Sequence, residues 1–280
     1  MPSTPPVVLT IAGFDPSSGA GVTADIKTIA AHGCYGVACV TALTVQSTAG
    51  VRKVEPVNPQ TVTESLEELA SDIEIAAVHI GMLASEGVAE AVAAFLEPRK
   101  LPNIVLDPII RSSSGAELLN QAGINILVKK LLPLAAVVTP NVDEAALLTG
   151  LTVSNLEQMR QAATRLHALG ATAVVVTGGH LEEAMDLFSV ADGRGSQSAV
   201  LRAEHMKSNS THGTGCAFAT AIACHLALGS ELGEAVRLAK EYVTAAIASA
   251  YPLGRGIGPI NHLYGMPPVV TTIPSVNKKR

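Results

Sequence analysis

The sequence predicts an α/β fold in which a mainly parallel central sheet carries helices on both faces. Three observations predict it. Short β-branched runs alternate with helical patterns along most of the 280 residues, the arrangement that builds βαβ units and parallel strands. Aromatic residues make up 3% of the chain and Trp is absent, so the core must be built from Ala, Val, Leu and Ile, as in sheets buried on both faces. No linker-like stretch or internal repeat interrupts the chain, so residues 1–280 are expected to form a single domain with its core over 7–265.

The first strand is expected at Val7–Ala12, a continuous apolar run behind Pro5-Pro6, followed by a glycine-rich loop and a helical pattern carrying Asp25. Val37–Val45 reads as the second strand. Ile75–Ile80, Ile104–Leu106, Ala136–Val138 and Thr172–Val176 read as further buried strands, with helical segments after most of them. Met185–Val190 and Ser198–Arg202 flank Ala191-Asp192-Gly193-Arg194-Gly195, a turn composition that predicts a hairpin at a sheet edge. Apolar helices near Gly215–Leu228 and Leu232–Ala250 close the fold. The tail 267–280, rich in Pro, Thr and Lys, is expected to be mobile.

Composition narrows the function. Lys and Arg number 19 against 24 Asp and Glu, a net charge of -5, and the sole basic run is Lys278-Lys279-Arg280, so nucleic acid is not an expected partner. The four Cys (34, 39, 216, 224) form no C-x-x-C pair and fit reduced thiols in a cytoplasmic protein. Thr28 to Val51 holds no Asp, Glu, Lys or Arg, but Gly33, Gly36 and Gln46 break it into a helix end and a strand rather than a bilayer span. The N-terminus has no cation ahead of its short apolar run and does not read as a signal peptide.

In an open parallel sheet ligands bind beyond the carboxyl ends of the strands, so the chemistry is sought in those loops. Asn209-Ser210-Thr211-His212-Gly213-Thr214-Gly215-Cys216 runs directly into an apolar helix. A helix start offers unpaired N–H groups and the positive end of the dipole, and Gly213 and Gly215 let backbone approach an anion closely. Cys216 in the first turn would feel the same field, which favours thiolate and makes it a candidate base. An anion cradle beside an activated base suggests phosphoryl transfer; the bland reading is a glycine turn before a buried, inert Cys. In Gly13-Phe14-Asp15-Pro16-Ser17-Ser18-Gly19-Ala20-Gly21 the closing Ala20-Gly21-Val22 lacks the Lys and hydroxyl of a P-loop. Gly19 to Ala24 matches G-x-G-x-x-A, but no acid for a ribose follows about twenty residues on, which argues against a dinucleotide enzyme.

Leu9 to Gly13, Asp15-Pro16-Ser17, Gly19-Ala20-Gly21 and Ala24 to Thr28 together resemble the opening of the hydroxymethylpyrimidine/phosphomethylpyrimidine kinases of the thiamin pathway. Thr41 to Thr48, Ile80 to Leu83, Leu106-Asp107-Pro108, Thr139-Pro140-Asn141 with Glu144-Ala145, Gly178-Gly179-His180, Thr211 to Cys216, and Gly256 to Pro259 with His262 continue the resemblance in order and spacing over roughly the whole core. It implies a ribokinase-like fold, ATP with Mg²⁺, a small-molecule pyrimidine substrate, and a homodimer. It places Gly13, Asp25, Thr44, Gln46 and Met82 at the pyrimidine, and Asn141, Thr177 and Gly179 at the nucleotide. It makes Cys216 the base, with Gly213, Thr214 and Gly215 supplying amides to the moving phosphoryl group. Glu144, with Asn141, would hold Mg²⁺ through water. The same pair also fits an N-cap with a capping box, and the two readings are compatible.

The chain departs from the family pattern at three places. Thr177 stands where a Lys is frequent, Ala217 where a hydroxyl residue is frequent, and Ser47 where Asn is frequent. A neutral hydroxyl cannot replace the charge of a lysine, so Arg255 or another cation would have to reach the nucleotide phosphates. Two other functions stay open: a pyridoxal kinase on the same scaffold, and a catalytically silent pyrimidine-binding module.

Overall fold

The computed structural model describes residues 4–112, 115–179, 185–192, 195–202 and 208–266. Tail residues 267–280, His180 and the hairpin residues Gly193 and Arg194 lie outside them. The first half runs β1 (Val7–Phe14), α1 (Gly21–Ala31), β2 (Tyr35–Ser47), β3 (Gly50–Pro56), α2 (Pro59–Asp72), β4 (Ala77–Ile80), α3 (Glu86–Leu96), β5 (Ile104–Leu106) and α4 (Gln121–Ile126). The second runs β6 (Val137–Val138), α5 (Val142–Thr149), α6 (Leu156–Ala168), β7 (Ala173–Gly178), β8 (Met185–Ala191), β9 (Ser196–Arg202), α7 (Thr214–Ala227) and α8 (Leu232–Ala248).

Among the described residues one nine-stranded sheet forms in the order β3-β2-β1-β4-β5-β6-β7-β8-β9. The pairs from β2 to β7 are parallel, whereas β3, β8 and β9 join antiparallel at the two edges. Each central strand sends alternate side chains into two cores, as the period of two dictates. Leu9, Ile11, Val78, Ile80, Ile104, Leu106, Val138, Val174 and Val176 pack under the face of α2, α3, α5 and α6. Val8, Ala77, Val105, Val137, Ala173 and Val175 pack under α1, α7 and α8. This accounts for the continuous apolar runs, since both faces of each strand are dry.

The sequence-based reading anticipates the parallel core and the β8–β9 hairpin, and it misses β3. Gly50–Pro56 is Gly-Val-Arg-Lys-Val-Glu-Pro, an edge strand whose charged side chains face water, so no apolar run marks it. β2 extends to Ser47 to pair with it, with a register shift at Val45/Gln46. Such a bulge re-aims side chains at a sheet edge, and it lies at the strand end that carries Gln46.

Candidate active site

Two loops meet at the carboxyl ends of the strands. Gly213 has φ +82, and a Cβ there would lie 1.9 Å from the Gly19 carbonyl oxygen; a Cβ at Gly21 (φ +60) would lie 2.1 Å from the Gly13 oxygen. Only glycine permits both the left-handed backbone and the contact. The contact brings the start of α1 beside the start of α7, and neither helix has a side-chain cap. No side-chain oxygen occupies either start; the Thr214 N–H goes to the Thr211 carbonyl and the Gly21 N–H to Cys216, and the later N–H groups of the first turns are the ones an anion could meet. Thr214 turns its hydroxyl back to the Thr211 carbonyl at 2.7 Å.

Cys216 lies in the first turn of α7, 9% exposed. Burial pushes its thiol well above the usual value, and the nearby carboxylates of Asp107 and Asp25 push further; the Gly21 N–H pulls the other way and loses. Burial among acids therefore opposes the field-stabilised thiolate expected at this helix start, against a helix dipole of a few tenths to about 2 kcal/mol. Asp107, at the end of β5, sits where a Gly215 Cβ would be 3.9 Å from its Oδ2. Burial, then the charge of Glu144, raises the Asp107 carboxyl well above its usual range. Burial likewise carries Glu144 to about 7, against the backbone N–H groups of Asn141 and Ile110.

Asn141 and Glu144 form a complete capping box at the start of α5. The Glu144 N–H donates to Asn141 Oδ1 and the Asn141 N–H to Glu144 Oε2, both at 2.9 Å. Thr177 lies beside Asn141, its N–H donating to the Pro140 carbonyl at 2.9 Å, and Gly179 follows β7. The loop carrying Arg255 docks on the end of β2 and on the cradle loop: the Ile257 N–H meets the Thr48 carbonyl, the Gly258 N–H that of Asn209, and the His212 N–H the Gly258 carbonyl. Among the described residues, Lys240 of α8 is a cation placed against the Thr177–Gly179 segment. It pairs at 2.6 Å with Asp186, whose other oxygen accepts the Gly178 N–H.

On the β2 side, Gly13 and Met82 touch, a Gly13 Cβ falling 3.0 Å from the Met82 sulfur. Met82 packs with Ala42 and Leu118 in a small apolar cluster. Thr44 donates its hydroxyl toward the Phe14 carbonyl (3.0 Å) and Gln46 Oε1 (3.1 Å). Asp25 is placed differently from these four. It is fully buried, accepts from Thr10 (2.7 Å) and Thr220 (2.9 Å), and faces His79 Nδ1 at 3.3 Å. Its carboxylate therefore props α1, β1, β4 and α7 from below and is not presented to the cleft. Burial alone would push His79 down, but the Asp25 charge wins and holds it above its ordinary value.

The phosphomethylpyrimidine kinase family model matches residues 15–261. The chain belongs to this family. A hydroxymethylpyrimidine/phosphomethylpyrimidine kinase from Streptomyces coelicolor is 42% identical over 93% of this chain and 96% of its own length. A thiamine biosynthesis bifunctional protein from Geobacter sulfurreducens is 45% identical over 91% of this chain, which spans 52% of that longer protein. Among solved structures, the ADP complex of Bacillus subtilis pyridoxal kinase superposes with TM-score 0.84 at 34% identity, covering 93% of this chain and 98% of the other. A phosphomethylpyrimidine kinase from Clostridium difficile gives 0.77 at 37%, covering 86% and 99%. These neighbours establish the ribokinase-like fold for this phosphomethylpyrimidine kinase relative.

Three groups of residues in the family member escaped the sequence-based assignment of roles. Asp107 carried a signal, an acid at the carboxyl end of a buried strand followed by Pro. His79, a polar residue inside an apolar strand run, carried a weaker one. Asp15 and His212, 2.9 Å apart across the two loops, carried none, since 196 residues separate them apart from their glycine-rich surroundings. Burial would raise Asp15, but hydrogen bonds from His212 and Ser17 win and hold it below the ordinary carboxylate value.

Proposed function

We propose that this protein transfers the γ-phosphoryl group of ATP to 4-amino-5-hydroxymethyl-2-methylpyrimidine and then to its monophosphate. The observation that carries the reading is the contact of Gly213 with Gly19. It sets two uncapped helix starts, and Cys216 between them, next to the Gly13, Met82, Thr44 and Gln46 wall. A pyrimidine on that wall presents its hydroxymethyl group to the cradle, and the Gly213 to Cys216 amides take the charge of the moving phosphoryl group. Gln46 can offer a donor and an acceptor to an aminopyrimidine edge, and Met82 a polarisable apolar surface.

Asn141, Thr177 and Gly179 line the nucleotide side. Glu144 and Asn141 would hold a hydrated Mg²⁺ through water, as this hard, strongly hydrated ion prefers. Bound there, the ion would supply positive charge beside Glu144, whose carboxyl burial raises, and near Asp107, which burial and then Glu144 raise. Cys216 is assigned the acceptance of the substrate proton, a role that requires it to enter the step as the thiolate. Asp25 acts by holding Thr10, Thr220 and His79 beneath the cradle.

The deciding experiment is ADP release from Mg·ATP with hydroxymethylpyrimidine, its monophosphate, pyridoxal or no acceptor. Turnover of both pyrimidines is the expected result. Preference for pyridoxal, which the 0.84 superposition on a pyridoxal kinase makes the second reading, would overturn it. ADP release that no acceptor stimulates would favour the binding module. We further propose a single-domain, cytoplasmic homodimer that takes no nucleic acid, in keeping with the net charge of -5 and with the absence, among the described residues, of a helix long and apolar enough to cross a membrane.

A further inference from the structure

The hydrogen bonds around Gln46 do not balance in the orientation with Oε1 on Thr44 and Nε2 on His212. Thr44 has one hydroxyl proton and two acceptors, the Phe14 carbonyl at 3.0 Å and Gln46 Oε1 at 3.1 Å. His212 Nε2 faces Asp15 Oδ2 at 2.9 Å and Gln46 Nε2 at 3.3 Å. The carboxylate requires a proton on that nitrogen, and the amide NH₂ requires a bare lone pair. One atom cannot supply both.

The Asp15 side is the firmer of the two. Its Oδ1 accepts from the Ser17 N–H (2.8 Å) and the Ser17 hydroxyl (2.7 Å), and its Oδ2 from the Ala20 N–H at 3.0 Å. A carboxylate surrounded by donors is ionised and can only accept, so His212 Nε2 carries a proton. The ring is held in place as well, for a Cβ at Gly19 would fall 2.3 Å from His212 Cδ2.

We infer that His212, oriented by Asp15, is a positioning residue that fixes the Gln46 amide in the opposite orientation and thereby selects which pyrimidine edge the site accepts. With the amide turned by 180°, His212 Nε2–H is shared between Asp15 Oδ2 and Gln46 Oε1. Gln46 Nε2 donates to Thr44 Oγ1, and the Thr44 proton goes to the Phe14 carbonyl. The conflict is then removed: the His212 proton faces two acceptors, and no atom is required to be donor and acceptor at once. The amide shows its acceptor on the His212 side and its donor on the Thr44 side. A ring bearing an amino group next to a bare ring nitrogen, the pattern of a 4-aminopyrimidine, matches that order when its amino group lies on the His212 side. A 4-oxo analogue, with a carbonyl next to a ring N–H, reverses it and leaves donors facing donors.

This inference rests on the proposed pyrimidine kinase reading, so its test has one arm that needs no turnover. In ¹⁵N-histidine NMR of the whole protein, His212 Nε2 is expected to show the shift of a protonated nitrogen, and to lose it in Asp15→Asn. A bare Nε2 in the parent protein overturns the inference whatever the substrate proves to be. The second arm compares kcat/KM for hydroxymethylpyrimidine with that for its 4-oxo analogue. The parent is expected to prefer the amino compound by roughly ten- to a hundredfold, as for an unpaired buried donor. In His212→Phe and Asp15→Asn the freed amide is expected to accept both compounds within about threefold, mainly through KM. A fall in kcat shared equally by both substrates, with the preference intact, would mean a merely structural role and overturn the inference. Asp15→Asn covers the case in which His212→Phe fails to fold. Absence of turnover with either pyrimidine would count against the kinase reading and leave the NMR result to decide this one.

Discussion

Glu144 ties the chemistry of the cleft to its stability. Its carboxyl titrates at about 7 in the folded protein against 4.5 for the ordinary group. Below pH 4.5 both folded and unfolded chains hold the proton, and nothing is lost. Between 4.5 and 7 the unfolded chain gives up a proton that the folded chain keeps, so stability falls as pH rises through that window. The full shift corresponds to about 3 kcal/mol. Urea unfolding of the parent and of Glu144→Gln, from pH 4.5 to 7.5, is expected to show the parent losing stability relative to the variant as pH rises. A pH-independent difference would show that Glu144 is not charged at the cost of folding. The same reasoning applies to Cys216, which burial and then Asp107 keep as a thiol. Asp107→Asn is expected to alkylate at Cys216 faster at pH 8, by roughly tenfold for each unit the thiol falls, and an unchanged rate would remove Asp107 as a cause.

The elements that hold these residues differ in how far the sequence betrays them. β1, β4, β5, β6 and β7 are legible because a strand dry on both faces is mostly apolar, with Thr10 and His79 as buried exceptions; β3 is not, because Arg52, Lys53 and Glu55 belong to an edge whose identity comes from pairing with β2. The glycine loop before α7 announces an anion cradle locally, whereas its contact with the loop before α1 is tertiary and silent. So are the Asp15–His212 pair and the closed Asp25 pocket, which is why Asp25 reads as a ligand contact in the sequence and lies beneath the site in the fold. Gly213→Ala tests that contact. The left-handed φ alone costs about 1–3 kcal/mol with a Cβ, and the Cβ would strike the Gly19 carbonyl at 1.9 Å. The variant is expected to fold, with a lowered Tm, and to lose at least about a hundredfold in kcat, because the α7 start no longer meets α1. A variant with parent turnover would show that the two helix starts need not be juxtaposed.

At the scale of the whole molecule, β2 does two jobs on its two faces. From Leu43 to Ser47 the side chains alternate, with Thr44 and Gln46 half-buried toward the cleft and Leu43 and Val45 exposed at 54% and 43%. Opposite Leu43 and Val45 lie Glu55 and Lys53 on β3, so an apolar pair sits between charges on the outer face of an edge sheet. Apolar surface left on a strand that also positions a ligand residue is a reason to expect a second copy to cover it. A two-fold arrangement would bury the same pair from both subunits and stiffen the strand that holds Gln46. Leu43→Glu with Val45→Lys is therefore expected to convert a dimer into a monomer in sedimentation equilibrium. It is also expected to raise KM for the pyrimidine while leaving KM for ATP near the parent value, since Thr177 lies on β7 and Asn141 and Gly179 in the segments that follow β6 and β7, across the sheet from β2. A parent protein that is itself monomeric, or a double variant that stays dimeric, would move the subunit contact off this face. A variant that becomes monomeric with both KM values unchanged would separate assembly from the site and leave the Gln46 strand rigid on its own pairing with β1 and β3.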